Sequence, residues 1–116
     1  MVLKRGDIVL CQFPFTDLSS SKRRPAIIVS SKISEDNDMI LAFITSVVNE
    51  KIIDTDLLLS NNEADFMGTG LKKTSIIKLN KIATINISII SGIMGNIDAV
   101  RVAELDTKLK LALALD

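Results

Sequence analysis

Pro25 follows directly on Arg23 and Arg24 and opens the apolar run Ala26, Ile27, Ile28 and Val29. Proline suits a first strand position and pushes the residue before it toward extended geometry, so a strand is expected here with Arg24 at its mouth. Upstream, Asp7 to Phe13 is rich in Ile, Val, Leu and Phe and is bracketed by Gly6 and Pro14. It alternates poorly, which reads as a largely buried first strand. Between the two runs, Phe15 to Lys22 is loop, with turn chemistry from Asp17, Ser19, Ser20 and Ser21. Arginine is permanently charged and its planar fork fits phosphate oxygens, so an arginine held at a strand mouth is a candidate phosphate site.

The same punctuation continues along the chain. Met39 to Val48 reads as a buried third strand that emerges at Thr45 and Ser46, and Asn49 to Thr55 as an exposed connection. Asp56 to Leu59 is short enough for one small strand, and Ser60 to Lys73, with Gly68 and Gly70, is turn-rich. Ser75 to Ile85 returns to strand composition; Ile87 to Ile90 suggests a helical turn, with a brief strand near Ile93. From Asp98, placed as N-cap, the period changes, and Val102, Leu105, Leu109, Ala112 and Leu113 fall on one helical face. Strands joined by short loops and closed by a helix give a β-rich α+β domain spanning residues 1–116.

Composition narrows the chemistry. The formal net charge is zero and the pI is near 6.2. Nucleic-acid binding would therefore need a local cationic cluster and could not draw on a global field. Cys11 is the only cysteine and there is no histidine, which removes the disulfide and the usual zinc donors. No cofactor is expected, and magnesium held by carboxylates has no motif behind it. Neither a leader sequence nor a long uncharged apolar stretch is evident, so the expectation is a soluble cytoplasmic protein without a membrane partner.

The segment RGDIVLCQFPFTDLSSSKRRPAIIVSS, followed downstream by LAFITS, resembles the MazF/PemK family of toxin endoribonucleases, the toxin halves of bacterial type II toxin–antitoxin pairs. The likeness lies in order and spacing: a GDIV opening strand, a polar loop closing in Arg-Pro, an I-T-S strand end, a late strand and a C-terminal helix. It implies a small half-open SH3-like barrel with the helix at its edge. It further implies metal-independent cleavage of single-stranded messenger RNA by the neighbouring ribose 2′-hydroxyl. The products would carry a cyclic or open 3′ phosphate and a free 5′ hydroxyl. The implied partners are RNA, an antitoxin whose disordered acidic tail occupies the same groove, and a second copy of the chain. The apolar end LKLALALD also suits a homodimer, or packing within the monomer.

Under that resemblance Arg24 takes the position of the catalytic arginine, stabilising the charge that grows on the scissile phosphate. Thr45 takes the position of the supporting hydroxyl, and Ser46 is a weaker neighbour. Alternation puts Lys22, rather than Arg23, on the face of Arg24. With no histidine the base is open between a carboxylate such as Asp17 or Glu50, and water. Phe15 is a stacking candidate or a plain loop anchor, whereas Phe13, Phe43 and Phe66 read as core or near-core. Asp17 in the same loop and Lys78 on the late strand complete the candidate RNA contacts, with Lys72 and Lys73 as further cations. Some relatives carry an Arg and an Asp on the late strand where Lys78 and Asn80 stand, and many carry Arg and Asp where Ala83 and Asn86 stand. Two other readings follow: a weakened member that binds RNA or antitoxin without cutting, and an inhibitor of a protein target such as a topoisomerase acting through the terminal helix.

Overall fold

In the computed structural model, residues 2–12, 23–32, 35–48 and 51–116 are described. Their apolar runs form strands β1 (Asp7–Cys11), β2 (Arg24–Ile28), β3 (Asp38–Thr45), β4 (Asp56–Leu59), β5 (Ser75–Asn86) and β6 (Ile90–Asn96), followed by helix α1 (Ala99–Ala112). Single turns of 3-10 helix occupy Met67–Thr69 and Ile87–Ile89. The strands make one unclosed antiparallel sheet in the order β4-β5-β3-β2-β1-β6.

The poor alternation of the central strands has a direct cause. Ile8, Ile27, Ala42 and Ile44 face one core cluster, which Leu105 of α1 joins. Val9, Cys11, Ala26, Ile28 and Leu41 face a second cluster on the other side. Strands covered on both faces gain from an apolar side chain at every position, so period two disappears from their sequence.

Two expected boundaries shift. The third strand ends at Thr45, and Val47 and Val48 lie outside it, exposed. β6 is a full strand of seven residues rather than a brief one near Ile93, because it pairs along all of β1. The helix begins as expected: the Asp98 carboxylate accepts from the Arg101 amide at 3.0 Å. Leu105 is buried and Val102, Leu109 and Ala112 pack against the core, but Leu113 sits past the helix, 48% exposed, and does not share the buried face. Arg101 is buried instead. It donates to Asp65 at 2.9 Å and also pairs with Glu63 and Glu104, tying the helix to the segment after β4. Its hydrogen bond holds the Asp65 carboxyl below the ordinary carboxylate range.

β5 carries the main irregularity. Ala42 on β3 faces Ile82, yet the next residue, Phe43, faces Lys78, so Leu79, Asn80 and Lys81 have no partner on β3. Such an excess bends the strand and increases local twist. The Leu79 amide turns to the Thr55 carbonyl at 3.2 Å, which fastens the bend to the start of β4. Beside it, Asp56 pairs with Lys78 across the two strands. The Asp56 side chain is fully buried, with the Lys78 ammonium 2.9 Å from Oδ1 and donating to Oδ2 at 3.1 Å. Oδ1 is off the line of a hydrogen bond, so Oδ2, which also accepts from the Ile53 amide at 3.0 Å, carries the directional contacts.

Breaking a buried ion pair from one side leaves an uncompensated charge, at a cost of roughly 3–5 kcal/mol. Lys78→Met is therefore expected to destabilise the protein by about that much in urea unfolding, and Asp56→Leu combined with Lys78→Met by clearly less; equal losses would mean that the charge is not what matters. Burial pushes the Cys11 thiol from 9.0 up to about 11, against a smaller opposing effect of the Arg23 guanidinium. The folded state thus holds this proton more tightly than the unfolded chain, so the thiol's contribution is full below pH 9.0 and falls away as pH rises toward about 11. Unfolding curves taken across that range are expected to show a steeper loss for the wild type than for Cys11→Ala.

Candidate functional site

Beyond the pair Ala26 with Phe43, β2 and β3 part. Pro25, which has no amide hydrogen to offer, stands just past that last rung, so its missing donor breaks no bond to β3. Carried one step further, the same register sets Arg24 level with Thr45. Alternation places Arg24 on the face of Ala26 and Ile28, and Thr45 on the face of Phe43, which is the same face of the sheet. Arg24, Pro25, Phe43, Thr45, Ser46 and Ser75 accordingly line one cleft of about 270 Å³.

The two principal side chains are chemically available. Arg24 is exposed, and no ion pair engages it among the described residues. The Thr45 hydroxyl accepts from the Val47 amide at 3.1 Å, which orients the oxygen and leaves its hydrogen to donate elsewhere. A cationic fork and a hydroxyl donor at one level across a parted ladder can grip the oxygens of a single phosphate.

A second cleft of about 330 Å³ adjoins the first through Phe43, Thr45 and Val47. Lys51, Asp56, Lys78, Asn80 and Lys81 complete its walls, Asn80 and Lys81 being carried there by the bend of β5. Lys78 reaches this cleft, but its charge is committed to Asp56. Lys51 and Lys81 make the field locally positive in a chain of zero net charge. Lys81 lies 5.9 Å from the centroid of the Phe43 ring, within cation–π range.

Phe43 is therefore more than a near-core residue. It is half-buried and lines both clefts, which makes it the aromatic nearest to Arg24 and Thr45 among the described residues. Nothing in its apolar run separates it from its neighbours; it packs against the second core cluster, as a near-core residue should, and also reaches both clefts beside the register break. Phe66 is buried as expected. Phe15, Asp17, Lys22 and Glu50 lie outside the described residues. Arg23, Lys72 and Lys73 border a different pocket from the one that holds Arg24.

The positions without the charges of some relatives have structural occupations. Ala83 packs against the second core cluster. Asn86 donates to the Asp36 carbonyl at 2.6 Å and accepts from the Ser88 amide at 3.0 Å, capping the turn before β6. Among the described residues no three Cys, Asp or Glu side chains come together as metal donors. No helix among them is long and apolar enough to cross a membrane.

No curated protein sequence matches the chain. Solved structures do match its fold. An endoribonuclease in complex with its cognate antitoxin from a mycobacterial species is 19% identical, with a TM-score of 0.75 over 99% of this chain and 98% of that one. The Mycobacterium tuberculosis toxin MazF-mt6 is 20% identical, with a TM-score of 0.73 over 95% of this chain and 98% of its own. The MazE-MazF structure from Deinococcus radiodurans is 18% identical, with a TM-score of 0.74 over 100% and 99% of the two chains. At such identities the likeness is one of fold, a six-stranded unclosed sheet with a terminal helix. The sequence itself matches the model of the PemK-like, MazF-like toxins of type II toxin–antitoxin systems over residues 4–113, and the chain belongs to that family.

Proposed function

We propose that this protein is the toxin of a type II toxin–antitoxin pair and cuts single-stranded messenger RNA at the cleft between β2 and β3, arresting growth. The observation that carries the reading is the level placement of Arg24 and Thr45 on one face, where the ladder between their strands has ended. The scissile phosphate sits between them. Arg24 neutralises the charge that develops on the phosphate oxygens as the neighbouring 2′-hydroxyl attacks, and the Thr45 hydroxyl donates to one of those oxygens. Attack forms the 2′-oxygen–phosphorus bond and breaks the bond to the 5′-oxygen, which leaves with a proton. The products are a 2′,3′-cyclic phosphate and a free 5′ hydroxyl. The nucleophile comes from the RNA itself, so the step calls for no metal-bound water. Phe43 offers a face for an unpaired base, and Lys51 and Lys81 draw in the backbone beside it.

The same cationic cleft suits the acidic tail of an antitoxin, in keeping with the endoribonuclease and MazF neighbours seen with antitoxins. Exposed Ile52, Ile53 and Leu111 line a cavity of about 480 Å³ beside the end of α1, an apolar surface that fits a homodimer. Activity in the cytoplasm follows from the substrate. A second reading, a member that binds without cutting, draws on the neutralised Lys78 and the uncharged Asn80.

A long unstructured RNA incubated with the full chain and a metal chelator separates the two. Discrete cuts are expected, with 5′ ends that polynucleotide kinase labels directly. Arg24→Ala should lower the rate by about 10²–10³, the loss typical of removing one transition-state donor, and Thr45→Val by a smaller factor. Binding without any cut above the Arg24→Ala background would leave the binding-module reading in its place.

A further inference from the structure

Consecutive residues of a strand point to opposite faces, so Arg23 leaves the sheet on the side away from Arg24. It emerges over a pocket of about 320 Å³ whose floor is Leu10, Leu71 and Met94. Lys72 and Lys73, both exposed, share the rim with Arg23. Pro25, Ser46 and Ser75 belong to this pocket and to the Arg24 cleft alike, so the two are joined over the open end of β2 and β3. Among the described residues, no carboxylate lines the pocket. The Arg23 guanidinium donates from Nε to the Ser91 hydroxyl at 2.7 Å, which restrains its plane where this pocket meets a neighbouring one lined by Gln12, Ile90 and Ser91.

We propose that the pocket floored by Leu10, Leu71 and Met94 and rimmed by Arg23, Lys72 and Lys73 holds a nucleotide that flanks the cleavage point, its base on the apolar floor and its phosphate on the cations. The inference rests on the ribonuclease reading and deepens it. An apolar floor with polar groups only at the rim suits a flat base, and the volume is at the small end of ligand sites, about 300–1,000 Å³, enough for one base and too little for a larger ligand. The methionine and leucine surfaces accept a π-face without demanding a particular hydrogen-bond pattern. Three cations, with no carboxylate among the described lining residues, match a phosphate. The strand would thus wrap over the ridge of Pro25, Ser46 and Ser75, with neighbouring phosphates read by neighbouring arginines on opposite faces. Sequence preference on one side of the cut would be set in this pocket.

Two measurements test this. The first is the salt dependence of binding to a short fluorescent 2′-O-methyl RNA, which cannot be cut. Lys72→Ala combined with Lys73→Ala is expected to flatten the slope of log affinity against log salt by about 1.4, two contacts at roughly 0.7 each on a single strand. Lys110→Ala, on the far end of α1, should leave that slope as it is. The second is sequencing of the cut ends from a random RNA pool. Leu10→Trp, which fills the floor, is expected to change the base preferred at one flanking position; the double lysine variant, altered only at exposed residues, gives an independent reading should Leu10→Trp fail to fold. Wild-type slopes and cut sites in both variants would overturn the subsite while leaving the ribonuclease intact. Loss of binding to a Glu- and Leu-rich peptide with RNA binding unchanged would overturn it in favour of a peptide site. A wild type that neither binds nor cuts RNA would remove the function and the subsite together.

Discussion

Between Ala42 and Phe43, β3 passes Leu79, Asn80 and Lys81 of β5 without pairing them, and a long strand with that much surplus has to bend. The consequences run in two directions. On one side of the bend β5 pairs with β3 alone; on the other it pairs with both β3 and β4, so the short edge strand β4 owes its place to the turn. Because β3 changes partner register at Phe43, that ring comes to lie at the junction of the two clefts instead of deep in either core. The Asp56–Lys78 pair sits beside the bend and fixes its depth, since a buried carboxylate and its ammonium admit little change of spacing.

That pair also divides the lysines by task. Cationic residues near a groove look alike in a sequence, yet Lys78 is neutralised by a buried partner whereas Lys51 and Lys81 are exposed on the same cleft. A chain of zero net charge can still present a positive path. What matters is which carboxylates are drawn away, and Glu63, Asp65 and Glu104 are gathered around Arg101 at the helix. Three acids at and beside α1 are spent on one arginine, and among the described residues none lines the cleft between β2 and β3.

Much of this fold was legible because its signals are local. Gly6, Pro14 and Pro25 punctuate the first strands, and Asp98 followed by a helical period marks α1. The β4 bounds, Asp56–Leu59, could be read from composition alone. What could not be read depends on distant residues. Val47 and Val48 continue an apolar run in sequence, but β3 stops pairing at Thr45 and leaves them outside. β6 contains Gly92 and Gly95 and looks interrupted, yet pairing along β1 holds it extended; Gly95 is required because a Cβ there would stand 2.2 Å from the Gly68 carbonyl oxygen. Around the proposed site, the resemblance names Arg24 and Thr45, whereas the place of Phe43 and the separate place of Arg23 needed the register.

The Arg-Arg-Pro sequence compresses several of these constraints into three residues. Proline without an amide hydrogen is tolerated where a strand has one neighbour fewer, and Pro25 pairs with Leu10 on β1 while the rungs to β3 have stopped at Ala26. The same parting that admits the proline opens the cleft. Extended geometry imposed on the residue before proline holds Arg24 in the line of the strand, so its direction follows from alternation rather than from loop conformation. Arg23, one residue earlier, takes the opposite side. A single backbone device therefore opens the ladder, aims one arginine at each face, and keeps two like charges apart that a helix or a loose loop would let approach.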